Sequence, residues 1–230
     1  MSLLTAADLA AVALSVRVAT VATLVSLPFA LVCALALARG RFVGRGLLDA
    51  LVHLPLVLPP VATGYALLVL FGRAGAIGRL LAPLGLVFAF HWTGAALAAA
   101  VMAFPLMVRP IRLSIEAIDK EVLESALTLG APALVRFARI TVPLAGPGLA
   151  AGAVVGFAKA LGEFGATITF VGAIPGATLT LPSAIYIATQ SPGGEARTLA
   201  LCGVAAVLAV VAVLISDRLG QAAARWAGRP

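Results

Sequence analysis

From Leu9 to Ala38 the chain carries one charged side chain, Arg17, in an otherwise apolar or small-residue run. A bilayer's hydrocarbon core is about 30 Å thick and a helix rises about 1.5 Å per residue, so roughly 20 apolar residues cross it. Four further runs meet or approach that length, over 47–71, 86–108, 144–171 and 199–215. Only 11% of the 230 residues are charged and the mean hydropathy is +1.13, so no single globular core could absorb this much apolar surface. In lipid the backbone must satisfy its own hydrogen bonds, which a helix does within one segment. The expected fold is therefore an all-α polytopic membrane protein, one transmembrane domain over 1–230 with five helical spans. Soluble enzymes, disordered tails and disulfide-stapled secreted domains are excluded.

Leu80–Leu86 is too short to span and is expected to form an interfacial helix. The first run has no basic segment before it and its only early charge is Asp8. It reads as a retained membrane helix rather than a cleaved leader.

The net charge of +7 comes from 16 basic and 9 acidic residues. With five crossings and the N-terminus outside, the inner segments hold Arg39, Arg41, Arg45, Arg109, Arg112, Lys120, Arg136, Arg139, Arg218, Arg225 and Arg229. The outer loops hold only Arg73, Arg79 and Arg197. Basic residues collect on the cytoplasmic side, so the chain is read as N-out and C-in. The basic surplus is thus a topology signal and not a nucleic-acid footprint. No internal repeat is visible, and five spans enclose little of a pathway alone, so assembly with other subunits is expected.

Cys33 and Cys202 lie in apolar runs without Cys or His neighbours at ligand spacing, and read as fillers rather than metal ligands. His53 and His91 have too few buried carboxylates around them for a catalytic cluster, and no catalytic residue is assigned. His53 is expected to hydrogen-bond at the interface. Pro55, Pro59 and Pro60 are expected to bend the second span, and Arg17 to snorkel. The lysines, Lys120 and Lys159, stand outside any Gly-Lys-Ser/Thr phosphate loop, so this chain has no such route to ATP hydrolysis.

The longest inner loop, 109–143, holds four of the nine acids: Glu116, Asp119, Glu121 and Glu124. Apolar residues at Ile118, Val122, Ala126 and Leu129 define one face of a helix expected over Glu116–Leu129. Gly130 suits its C-cap, and Pro132 suits the first turn of a second helix that stops before Pro143. Interfacial helices that rest on lipid are basic on their polar face, whereas this one is acidic, which favours docking to protein.

Inside the fourth run, Lys159 and Glu163 are four residues apart and share a helical face. Two readings stand: a self-neutralising structural pair, or a pair that lines the substrate path. Gly162 and Gly165 flank Glu163 and could unwind the helix there, which is tolerated at membrane depth beside a water-filled cavity. Lys159 would then attract an anion and Glu163 would oppose its dwelling. The outer stretch Pro182–Gln190 is expected to form a re-entrant or surface helix.

The series Glu124-Ser125-Ala126, three residues, Gly130, nine residues, Ile140-Thr141-Val142-Pro143 resembles the EAA signature of binding-protein-dependent ABC importer permeases. It departs at Ser125, for Ala, and Val142, for Leu. The resemblance implies a type I ABC importer permease fold whose loop docks on a separate ATPase. Glu124, Ser125, Ala126, Gly130, Ile140 and Pro143 would then form the coupling surface. Leu161–Val171, His53–Pro60, Phe104–Arg109 and Pro192–Glu195 are similar to segments of bacterial molybdate importer permeases, with sulfate and tungstate permeases sharing the plan. That resemblance implies a multi-pass bacterial inner-membrane subunit carrying an oxyanion, molybdate first and sulfate or tungstate as alternatives. It further implies a homodimer, two ATPase subunits that use ATP and Mg, an extracytoplasmic binding protein, and no cofactor on this chain. Lys159, Gly162, Glu163 and Gly165 would line the pathway. A channel or secondary transporter that needs no ATPase is the more distant alternative.

Overall fold

A computed structural model describes residues 4–226, and every regular element among them is helical. Helix α1 (Ala6–Arg39) opens on a capping box, in which the Thr5 hydroxyl accepts from the Asp8 amide and the Asp8 carboxylate accepts from the Thr5 amide. It continues through Pro28 and ends at Gly40.

The second apolar run is not one helix. It forms α2 (Arg45–Val57) and α3 (Pro60–Phe71), bent by 113°. Leu58 and Pro59 each precede a proline, whose ring disfavours the helical conformation of the residue before it. Both are extended, with ψ of 142° and 133°. Pro60 then occupies a first-turn position of α3, where a missing N–H costs nothing.

The short outer helix begins earlier than 80–86. Helix α4 spans Ala76–Leu81, and a 3₁₀ turn follows over Ala82–Leu84. Gly85 at φ 70° and Phe90 at φ 57° prevent helix over the next stretch, so the third span begins at Trp92 and not at Leu86. Helix α5 (Trp92–Glu116) passes Pro105 and Pro110, and it places Arg109, Arg112 and Glu116 on a helix rather than in a loop.

The inner loop itself is shorter than expected. Helix α6 covers Lys120–Thr128, because Asp119 caps it by accepting from the Glu121 amide at 2.9 Å, leaving Ala117–Asp119 as a break. The second piece does not stop before Pro143. It runs from α7 (Ala133–Arg136) through a π-helical turn, Phe137–Thr141, into α8 (Val142–Leu144), where Pro143 takes a first-turn position. A 65° bend then leads into α9 (Gly146–Leu161). Beyond a break at Gly162–Phe164 come α10 (Gly165–Val171), α11 (Leu181–Thr189) and α12 (Glu195–Trp226).

Contacts at the two ends fix the helix directions. Arg17 lies over the Trp92 ring at 3.7 Å while Arg39 reaches Ile115, so α1 and α5 run the same way. Helix α9 runs against them, with Gly148 beside Pro110 and Gly156 beside Met107. Helix α3 returns towards Phe88, which meets Phe71 edge-on at 5.6 Å. In α12, Arg197 meets Asp8, and Leu208 packs farther along against the cluster of Val18 and Ala22.

The shared core is built from small residues. Ala19, Ala22, Ala95, Ala98, Ala99 and Ala103 are buried together. Gly148, Gly152 and Gly156 form a stripe on α9 that faces Pro110, Ser114, Ile111 and Met107 of α5. Where lipid is as apolar as the core, such residues let backbones approach closely and gain dispersion contacts. By length and composition α1, α5 and Glu195–Ala212 can each cross a membrane, and the two bent pairs bring the number to five if each is one span.

Candidate coupling surface and membrane-embedded ion pair

Helix α6 stands clear of the bundle, with no buried residue. Glu124 and Ser125 are exposed, Ala126 is half-buried, and Ile140 and Pro143 of the following segment are half-buried. Val122, Leu127, Leu129 and Leu134 are exposed apolar side chains on the same two pieces. Of the apolar face read from the sequence, only Ile118 is buried, at the break before α6.

The turn between α6 and α7 depends on Gly130. Its φ is +73°, a left-handed conformation open to glycine at little cost. This lets the Ala131 amide donate to the Ala126 carbonyl at 3.0 Å, the long bond of a helix-ending motif. Arg136 braces the turn from the far side by donating to the Ala131 carbonyl at 2.8 Å. Between α6, α7 and the end of α1 lies a recess of about 370 Å³, lined among others by Arg39, Leu123, Glu124, Leu127, Arg136 and Phe137. An exposed acid, exposed apolar side chains and a rigid turn make a surface suited to a protein partner.

In the fourth run, Lys159 Nζ donates to Glu163 Oε2 at 2.9 Å. Glu163 Oε1 accepts the Ala166 amide at 3.1 Å, so both carboxylate oxygens are engaged. The chain interruption explains the second bond: α9 ends at Gly162 and α10 restarts at Gly165, which leaves an orphan first-turn amide for Glu163 to satisfy. The two members are not equivalent. The Glu163 side chain is 2% exposed and that of Lys159 is 32% exposed, so the cation is the accessible partner. Gly165 abuts Pro60, whose Cβ lies 2.8 Å from where a glycine Cβ would be, and Gly64 abuts Ala166. The break in α9–α10 thus sits against the proline bend of α2–α3. Gly162, by contrast, is exposed.

Several polar pairs lie beyond what sequence reading found. Arg197 binds Asp8 through Nε and Nη2, and Asp8 is fully buried. The Thr5-x-x-Asp8 spacing signals the cap, but nothing local signals a partner 189 residues away. Arg112 bonds Glu116 at 2.8 Å and approaches Asp49 at 3.4 Å, and His53 Nδ1 lies 3.2 Å from the same Asp49 oxygen. The four-residue spacings within α2 and α5 are the legible half of that cluster. Arg17 does not merely snorkel; it stacks on Trp92.

Residues 26–225 match the family described as binding-protein-dependent transport system inner membrane component. The molybdenum transport system permease protein ModB of Escherichia coli K12 is 52% identical over 228 residues, 99% of this chain and 100% of that protein. ModB of Haemophilus influenzae is 51% identical, covering 93% and 94%. The sulfate transport system permease protein CysW of Synechococcus elongatus is 34% identical, covering 90% of this chain and 75% of that one. Among solved structures, a bacterial ABC transporter involved in import of the acidic polysaccharide alginate superposes with a TM-score of 0.76 at 18% identity, covering 95% of this chain and 80% of that one. That last likeness is one of fold. With nearly its whole length matched, and with apolar helices enough for several membrane passes, this chain belongs to the family of inner-membrane components of binding-protein-dependent transport systems.

Proposed function

We propose that the chain is the permease subunit of an ATP-driven oxyanion importer with molybdate as its cargo. The observation that carries this is the 52% identity, over 99% of this chain and 100% of the relative, to a molybdenum transport permease. The more remote sulfate permease supports the wider class of tetrahedral oxyanions.

In this reading α2 with α3 counts as one span and α9 with α10 as another, which leaves α6 to α8 on the cytoplasmic side. Five alternating crossings put the ends carrying Arg39, Arg45, Arg109 and Arg112 in the cytoplasm and the Asp8–Arg197 end outside, in the bacterial inner membrane. Two copies enclose one path, two separate ATPase subunits bind ATP and Mg beneath it, and an extracytoplasmic protein delivers the anion. The alginate transporter has also been solved in complex with its substrate-bound periplasmic protein, which supports the binding-protein part of this assembly. No cofactor is held by this chain.

The ATPase engages Glu124, Ser125 and Ala126 of α6, with Gly130 holding the turn and Ile140 and Pro143 leading the movement into α9. Closure of the ATPase pair opens the path outwards and hydrolysis resets it, each ligand favouring one state by its differential affinity. Lys159 is the cation on the path, held ready by Glu163 at the Gly162–Gly165 break. Competition among unlabelled molybdate, tungstate and sulfate against labelled molybdate uptake tests the cargo. Molybdate is expected to compete best, and sulfate winning would overturn that choice.

A further inference from the structure

Arg39 closes α1, and its Nη2 donates to two carbonyls, Ile115 at 3.0 Å and Ile118 at 3.2 Å. Ile115 lies in the last turn of α5, where helix carbonyls run out of intrahelical donors. Ile118 lies in the Ala117–Asp119 break from which α6 departs. Both isoleucines are buried, at 0% and 4% exposure, whereas α6 has no buried residue. The exposed helix is thus anchored at its hinge, and the hinge is held by a side chain from a different element. A basic residue kept only to orient the chain in a membrane needs no such geometry. Arg39 also lines the recess shared with Glu124 and Arg136, beside the coupling surface.

Helix α1 carries this attachment outwards. Its 34 residues extend about 50 Å at the usual helical rise. At the far end Asp8 is bound to Arg197 of α12. One element therefore joins the coupling hinge to the opposite end of the molecule.

We propose that Arg39 is a positioning residue for energy coupling. It ties the hinge of α6 to α1, so that displacement of α6 moves α1 together with α5 and is not absorbed by the three-residue break. This rests on the importer reading above. The Ile118 amide already bonds the Ile115 carbonyl at 3.3 Å, and the single Arg39 nitrogen that bridges the two carbonyls ties this closed turn to α1.

The test is the number of molybdate ions taken up per ATP hydrolysed by the complete reconstituted complex of permease, ATPase and binding protein. Arg39→Gln should assemble normally and hydrolyse ATP within about twofold of the wild type, while uptake per ATP falls about tenfold. Arg39→Lys keeps the charge and can reach one carbonyl, and it should recover part of that loss. An Arg39→Gln complex with the wild-type ratio overturns the proposal, as does a proportional loss of hydrolysis and uptake through failed assembly. If Arg39→Gln is not recovered from membranes, Arg39→Lys decides: a reduced ratio supports the proposal and an unchanged ratio overturns it. A wild-type complex without any ATP-dependent uptake would instead fault the importer reading itself.

Discussion

Arg197 grips Asp8 with two nitrogens across 189 residues, and it does so where Asp8 is wholly shut off from solvent. Removing only the cation leaves a buried, uncompensated carboxylate, a change that costs about 3 kcal/mol or more in comparable settings. Arg197→Gln should therefore lower the unfolding midpoint of the detergent-solubilised protein clearly. Asp8→Asn combined with Arg197→Gln should lower it much less, since no buried charge remains. Equal losses in the two variants would show that the pair's charge is not what matters.

Gly148 on α9 faces the Pro110 carbonyl, with only 2.6 Å between that oxygen and the place a Cβ would take. Backbone cannot step aside as a flexible side chain can, so Gly148→Ala should push α9 off α5. The expected cost is about 1–3 kcal/mol, the range typical of overpacking. Gly203 of α12 has nothing within 4 Å of its Cβ position, so Gly203→Ala is the control and should be neutral or slightly stabilising. Thermal melts of the two purified variants check this.

Gly130 adopts φ +73° with open space around it, so the penalty for a side chain is conformational and not steric crowding. Gly130→Ala should cost about 1–2 kcal/mol locally. Because α6 contributes no buried residue, that strain should weaken ATPase capture while leaving the melt of the bundle almost unchanged. Gly130→Asn should be milder, since Asn tolerates the left-handed region. Co-purification of the ATPase with each variant provides the readout.

The Lys159–Glu163 pair separates a pathway role from a structural one. Lys159→Met should reduce uptake about tenfold or more while the complex still assembles, though it strands the Glu163 carboxylate. Lys159→Gln with Glu163→Gln relieves that stranded charge and should restore stability without restoring uptake. Recovery of both would make the pair a structural feature only.

The helical architecture was legible because its causes are local. Thirty nearly uncharged residues can only be a membrane helix, and prolines 59 and 60 mark their own bend through the residue before each. The turn at Gly130 and the four-residue step from Lys159 to Glu163 were equally local. The start of α5 was not, because Leu86–Phe90 is as apolar as a helix and only the backbone at Gly85 and Phe90 excludes it. Its end lies beyond Val108 because the apolar run stops at Arg109, whereas the helix continues through Pro110 to Glu116. In the sequence Arg39 and Arg197 read as topology charges. Their hydrogen-bond partners lie 76 and 189 residues away, and no spacing rule reaches that far.

Import of an oxyanion at the expense of ATP is what this permease is expected to perform. Proteoliposomes holding the complex, with ATP at the α6 face and molybdate-loaded binding protein at the other, provide the decisive measurement. Molybdate should accumulate only when ATP, ATPase and binding protein are all present, and imposed ion gradients should not replace ATP. Accumulation that follows an ion gradient in the absence of ATP would instead make the protein a secondary transporter.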